Sequence, residues 1–397
     1  IMRVEGAITK ILLALTVVIC LYCFIAFSNI YCIKYLRELY IETAMSTMTK
    51  QWLAYIFPKS VVVEVVSKRD QQTEEINRIV DMWKNIKLFN GQAQATPIKD
   101  EIDSEESFFQ KFWEIDRSSF SHYTSVHPEV LNNGYENIYI NDIENRDYRL
   151  KTIFGEEVIL LDVRNNLLIV RVTGSNHEGR LAIVKDPRQV KVAVSKKLGD
   201  DGQFVTELVK DNNALIGVNA SGFVDYGGRG NGGTVIGLLV ADGRVYNKPL
   251  GGEYIMIGFD RDNNLRIGKF DDISMFRDAV EFRPALIVNG EKVVKDSAGW
   301  GLQPRTAIGQ SRKGEVMLLV IDGRQVGYSL GATMEDCADI LLRHEGFTAA
   351  AVDGGSSSIL VYKGKVLTKP SNGNWNGRKV PDGFIVLPSV RKGGMDV

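Results

Sequence analysis

The chain has 397 residues, 44% of them hydrophobic, enough to bury one large domain or two smaller ones. Its net charge of −1 supplies no basic field for nucleic acid. Three of its four cysteines, Cys20, Cys23 and Cys32, lie in one apolar run, so Cys337 stands alone and the rest of the chain has no disulfide framework.

Residues 11–33 carry no charge and are dominated by Leu, Ile, Val, Ala, Phe and Cys. Such a run is long enough to cross about 30 Å of hydrocarbon as one helix. It reads as an uncleaved anchor and not as a signal peptide, because it is too long and no small-x-small site follows it. Lys10 precedes it and Lys34 and Arg37 follow, so the flanking charges balance. Residues 35–57 continue as a helix that Pro58 ends. A polar stretch follows, with helical periodicity over 70–86, an acidic patch at 100–106, and His122 and His127 read as surface residues. The texture divides the chain into an anchor (1–34), a helical polar membrane-proximal spacer (35–134) and a folded domain (135–397).

From Tyr135 onward, short β-rich runs alternate with turns. Strands are expected at 158–162, 167–172, 181–184 and 190–194, then a helix over 203–210 and a strand over 214–218. Asp242-Gly243 and Asn289-Gly290 read as hairpin turns. The clearest unit is strand 316–321, helix 334–343 and strand 348–352. Thr333 and Asp336 make a capping-box start, Met334, Cys337, Ala338 and Leu341 an apolar stripe, and Gly346 a stop. On this pattern Cys337 is a buried small hydrophobe and His344 a helix-end residue. Both strands are continuous apolar runs, and a strand–helix–strand crossover sets them parallel with their C-terminal ends at one sheet edge. As neighbours they would bring Asp322 and Asp353 side by side, where ligands favour strand-end crevices. The fold class is mixed α/β: a mixed β-sheet with flanking helices and hairpins behind one N-terminal transmembrane helix.

Chemistry concentrates at the strand ends. Asp353-Gly354-Gly355-Ser356-Ser357-Ser358 follows the small apolar strand, an ending that suits a ligand approaching the backbone. Asp322-Gly323-Arg324 ends the other strand, although Asp-Gly is also an ordinary turn. Asn219-Ala220-Ser221-Gly222-Phe223 opens a glycine-dense loop to Gly233 containing Asp225 and Arg229, without the Gly-Lys-Ser/Thr of a Walker motif. Pro304-Arg305-Thr306-Ala307-Ile308-Gly309 and the polar loop 372–378 add Arg305 and Arg378, side chains suited to holding an anion in a two-pronged grip. No Cys/His cluster has zinc spacing and no EF-type loop is present, so neither metal nor cofactor is expected.

The order of these motifs from Glu136 to Pro388 resembles the phosphodiester glycosidase family, including its bacterial membrane-anchored members. The chain departs from the family pattern at Ala351, where Asn is common, at Arg283-Pro284, where Gly-Pro is usual, and in the extra Ser221. The resemblance implies hydrolysis of a sugar-1-phosphodiester at the anomeric C1–O bond. It makes Asp353 the leading catalytic carboxylate and Asp322 its candidate partner, with Arg305, Arg324 and Arg378 on the phosphate. Asn219, Asp225, Thr306, Gly354, Gly355, Ser356 and Ser357 would complete the substrate site. An oxocarbenium-like transition state needs a carboxylate, while a phosphate leaving group asks for anion binding more than for a second acid. The implied partner is a carbohydrate phosphodiester of the cell envelope or an exopolysaccharide, met by a single-pass membrane protein with its domain outside. The alternative is a glycan-binding or envelope-organising module that keeps the fold without turnover.

Overall fold

The computed structural model describes residues 2–84, 102–147 and 149–390. Asn85, Ile86, Asp100 and Glu101 of the predicted elements lie outside these residues.

Helix α1 (Met2–Phe27) holds the apolar run only up to Phe27; the chain leaves the helix at Ser28–Ile30, and Tyr31–Ile33 open the next helix, while Ile8–Phe27 is long and apolar enough to cross a membrane. The single helix expected over 35–57 is instead α2 (Tyr31–Met45) followed by a 3-10 turn (Gln51–Ile56). The break falls in Ser46-Thr47-Met48-Thr49-Lys50. There the Thr47 hydroxyl donates to the Thr43 carbonyl at 3.0 Å, a local bond that competes with helix propagation. Helix α3 (Lys59–Lys84) starts directly after Pro58, eleven positions before the expected start, because Val61, Val62 and Val65 bury against Ala26, Ile41, Ala44 and Phe57.

Two short helices, α4 (Glu105–Lys111) and α5 (Arg117–Val126), are capped by Ser104 and Asp116. Their Phe108, Phe109, Phe112, Phe120 and Tyr123 belong to the same buried cluster as the strands that follow. The texture boundary at residue 134 therefore coincides with no gap in packing: aromatic side chains here outweigh a polar sequence background. Each fully buried large apolar side chain contributes about 1.5–3 kcal/mol.

The main sheet has nine strands. In spatial order they are Tyr139–Asn141, Glu157–Asp162, Leu167–Thr173, Glu178–Val184, Val316–Ile321, Arg305–Ser311, Gly346–Val352, Ala285–Val288 and Glu291–Lys292. Every neighbouring pair in it is antiparallel. Val316–Ile321 and Gly346–Val352 do run in the same direction, but they are not neighbours. Arg305–Ser311 lies between them, pairing Thr306 with Val320 on one side and Val352 on the other. A five-stranded sheet contains Ile216–Asn219 between Leu360–Tyr362 and Asp382–Val386. A second one carries Ile255–Asp260 and Phe276–Phe282. Both predicted hairpin turns are present: Asp242 and Asn289 adopt φ 46° and 54°, each followed by a glycine with positive φ.

Helix α6 is Val205–Asp211 and α7 is Met334–Arg343. The capping box at Thr333 and Asp336 forms as expected. Cys337 is buried, and burial pushes its thiol up to about 12. His344 ends the helix, buried against Glu156 at 2.9 Å.

The segment 297–303 is pressed onto α2 and α3. Leu302 N–H donates to Thr43 Oγ1 at 3.0 Å and Gln303 Nε2 to the Thr43 carbonyl at 2.7 Å. Glu42 accepts from Ser297, and Asn77 Nδ2 donates to the Glu253 carbonyl. A side chain at Gly301, which has φ 60°, would begin 2.4 Å from the Thr43 nitrogen, so this contact requires glycine.

Candidate active site

The ends of Ile216–Asn219, Gly346–Val352 and the start of Arg305–Ser311 converge on one side chain, Asn219. Its Nδ2 donates to the Asp353 carbonyl at 2.6 Å. Its Oδ1 accepts from Thr306 Oγ1 at 2.8 Å and from the Ile359 N–H at 3.2 Å. Asp353 N–H in turn donates to the Ala220 carbonyl at 2.9 Å. Three motifs far apart in sequence thus meet at one buried amide. Asn219 and Thr306 are fully enclosed, so their polar atoms face each other and the Asp353 backbone, not an open surface. Asn219→Ala is expected to cost about 1–3 kcal/mol by orphaning buried partners. Chemical denaturation of the variant checks this value.

Asp353 is half-buried. Burial raises its carboxyl to about 7 against an ordinary 3.8, opposed by the Ser357 hydroxyl, by Arg378 and by the Gly354 N–H, and reinforced by Asp225. A carboxyl that titrates near neutrality can exchange a proton at working pH. Gly354 and Gly355 turn the chain beneath Pro304, with the Gly355 N–H donating to the Pro304 carbonyl at 2.9 Å. Gly355 has φ 63°, and a side chain there would begin 3.1 Å from the Arg324 guanidinium.

Two arginines border the acid. Arg324 is held by Nε donating to Gln303 Oε1 at 2.7 Å; burial lowers its guanidinium and the charge of Asp353 opposes that. Arg378 donates to Asp225 Oδ2 at 2.6 Å, to the Gly230 carbonyl at 2.8 Å and to Ser356 Oγ at 3.4 Å, and stacks over Phe223. Burial pushes the Asp225 carboxyl upward, but Arg378 and the Gly230 N–H outweigh it and hold it below the usual carboxylate range. The glycine-dense loop is therefore an ordered wall, clipped to the 372–378 loop by one ion pair.

Two expected site residues are placed elsewhere. Asp322 and Asp353 are separated by the intervening strand and have different neighbours. Asp322 accepts from Tyr328 Oη at 2.9 Å and from the Lys369 N–H at 2.7 Å, latching two loops. Burial raises it to about 6. Arg305 is buried and donates to the carbonyls of Ala332, Trp300 and Gly301 at 3.1, 3.0 and 2.7 Å. Burial lowers its guanidinium to about 10, and its donors organise the 300–301 turn instead of facing an anion.

Sequence reasoning passed over Tyr254 and Glu281. Tyr254 is half-buried, and its hydroxyl is raised by burial and by the charges of Asp353 and Glu281. Glu281 is buried and accepts N–H bonds from Leu238, Leu250 and Gly251 at 2.8, 2.6 and 2.9 Å, fixing two loops behind the site. An acid inside the strand Phe276–Phe282 was the one available signal. Of the three family departures, Ala351 lies in the sheet opposite Ala307, Arg283 stacks over Tyr254 and Trp300, and Ser221 is buried with its N–H donating to Asp382 Oδ1 at 2.9 Å.

The chain is similar to several known proteins. The chain is 26% identical over 186 residues to an SPbeta prophage-derived uncharacterized protein, YomE, of Bacillus subtilis, covering 43% of this chain and 28% of that one. It is 34% identical over 71 residues to N-acetylglucosamine-1-phosphodiester alpha-N-acetylglucosaminidase of Bos taurus, covering 18% and 13%. The chain thus spans less than a third of the length of these curated relatives. The catalytic domain of the zebrafish enzyme of that name, auto-inhibited by its pro-peptide, aligns at TM-score 0.46 and 20% identity over 63% of this chain and 87% of that one. A hypothetical protein from Synechocystis aligns at TM-score 0.44 and 14% identity over 59% and 64%. Residues 212–387, which hold every motif converging on Asn219 and Asp353, match the phosphodiester glycosidase family, the family that the order of those motifs resembles.

Proposed function

We propose that the chain is a membrane-anchored hydrolase that cleaves the anomeric C1–O bond of a sugar-1-phosphodiester in envelope or exopolysaccharide glycans, on the outer side of the membrane. The observation that carries this reading is Asp353, a carboxyl raised toward neutrality with a guanidinium on each side. Asp353 stabilises or captures the developing oxocarbenium centre, or activates water against it. Arg378 and Arg324 take the charge of the departing phosphate. Arg305 and Asp322 support this framework from behind. Asn219 is a positioning residue: it fixes the Asp353 backbone, so Asn219→Ala should lower kcat more than it raises KM.

The apolar α1 helix supplies the anchor, and the substrate is a carbohydrate phosphodiester. Hydrolysis of a synthetic α-GlcNAc-1-phosphoalkyl diester by the full chain in detergent tests the reading. Arg378→Ala should lower kcat/KM about 10- to 100-fold, as expected when a charged hydrogen bond of about 1.5–3 kcal/mol is lost. An unchanged kcat/KM in a folded Arg378→Ala protein would remove this arginine from the phosphate.

A further inference from the structure

The segment between α2 and α3 has two faces. One face lies against α1. Tyr22 Oη donates to the Ile56 carbonyl at 2.9 Å, which ties the 3-10 turn Gln51–Ile56 to the candidate membrane helix. Tyr22 is five residues before the helix end at Phe27, so Ile56 reaches roughly 7 Å below that end at 1.5 Å per residue. Arg37 donates to the carbonyls of Ile25 and Ser28, capping α1 and folding α2 back beside it. Ala26, Ile41, Ala44, Ala54 and Phe57 close the joint. Outside that joint, Met48, Trp52, Tyr55 and Ile56 are 59%, 67%, 55% and 52% exposed, with Lys50 and Lys59 exposed on either side. Aromatic side chains flanked by lysines at this depth suit the boundary between hydrocarbon and headgroups.

The other face lies against the candidate site. Gln303 Nε2 lies 3.5 Å from Thr47 Oγ1 and donates to the Thr43 carbonyl in the last turn of α2, while its Oε1 holds Arg324. A side chain at Gly228, in the glycine-dense loop, would begin 2.8 Å from the Thr49 methyl. The element that meets the lipid boundary therefore also touches Gln303 and the glycine-dense loop, whose partners Arg324 and Arg378 border Asp353. Helix α2 has 15 residues and is about 22 Å long, which limits how far those residues stand from the membrane.

We infer that residues 46–57 form a membrane-seated rim of the site, and that the substrate is a sugar phosphodiester whose aglycone is a lipid held in the same bilayer. The substrate assignment rests on the hydrolase reading above; the membrane seat does not. A lipid aglycone would stay in the membrane while the sugar and phosphate rise to Arg324 and Asp353. Diffusion in two dimensions would then deliver substrate to the site.

The full chain is reconstituted in phosphatidylcholine vesicles with brominated acyl chains, and tryptophan fluorescence is read for the native chain and for Trp52→Phe. Bromine quenching in the native chain that is lost in Trp52→Phe is expected. Equal quenching in both overturns the seat. In the same vesicles, cleavage of α-GlcNAc-1-phosphophytanol is compared with that of the water-soluble ethyl diester. The native chain should prefer the lipid diester by at least about tenfold in kcat/KM. Trp52→Ser with Tyr55→Ser should abolish that preference, read as the ratio of kcat/KM for the two diesters. Equal rates on both diesters overturn the lipid-substrate assignment. If neither is cleaved while Trp52 is quenched, the seat stands and the hydrolase reading falls.

Discussion

Asp353→Asn is expected to reduce hydrolysis by a factor on the order of 10²–10⁴ while leaving the fold intact, the range typical for loss of a positioned acid or base. The amide keeps the size of the carboxyl and can still bond to Ser357 and Gly354, so the loss isolates charge and proton exchange. The same substitution should stabilise the protein at neutral and higher pH. The folded carboxyl titrates near 7, above its ordinary 3.8, because burial penalises its charged form. Its contribution to stability is therefore complete below about pH 4 and lost as the pH rises toward 7. Asn carries no such penalty, so the difference in thermal midpoint between variant and native chain should widen from pH 5 to pH 8. A variant that is inactive yet more stable at pH 8 is the signature of a group retained for chemistry. An active Asp353→Asn would remove this carboxyl from the mechanism.

Lys185→Met is expected to be the most damaging substitution for stability. Lys185 Nζ is fully buried between Glu114 and Glu315, 2.7 Å from each, and Trp113 Nε1 also donates to Glu315. These residues join α4 and its flanking loop to two strands of the main sheet. Burial raises the Glu114 carboxyl, with Lys185 opposing and Glu315 reinforcing the rise. Removing the ammonium leaves two buried carboxyls facing each other, a loss of about 3–5 kcal/mol. Equilibrium urea denaturation measures it. Adding Glu114→Gln should restore part of the loss, because neutralising one acid removes the repulsion. Additive effects of the two substitutions would mean that the three groups are not coupled.

The sequence was most legible where one local rule decides the outcome. Helix α7 and its cap followed from Thr333, Asp336 and a 3.6-residue stripe. The hairpins followed from Asp242-Gly243 and Asn289-Gly290, where positive φ is needed. The loops of the candidate site were visible as strand ends carrying acids, glycines and arginines. What stayed hidden depends on contacts between distant segments. Nothing in Arg305–Ser311 announces that it inserts between Val316–Ile321 and Gly346–Val352, so the two aspartates looked like neighbours. Arg305 read as an anion binder because a guanidinium suits phosphate and backbone carbonyls equally. Its partners at Trp300, Gly301 and Ala332 are set by tertiary packing. The docking of α2 was invisible for the same reason. Gly301 and Gly228 mark the close approaches, but no local rule ties a loop glycine to a distant helix.

The central claim is C1–O cleavage by Asp353, and oxygen-isotope labelling tests it most directly. The full chain hydrolyses α-GlcNAc-1-phosphoalkyl diester in H₂¹⁸O, and NMR and mass spectrometry locate the label. The account predicts ¹⁸O on the anomeric carbon of free GlcNAc, an unlabelled alkyl phosphate, and loss of both products in Asp353→Asn. Label in the phosphate, with GlcNAc-1-phosphate as product, would contradict it by showing P–O cleavage. Binding of the diester without turnover by the folded chain would contradict it equally, and would leave a glycan-binding module on this fold.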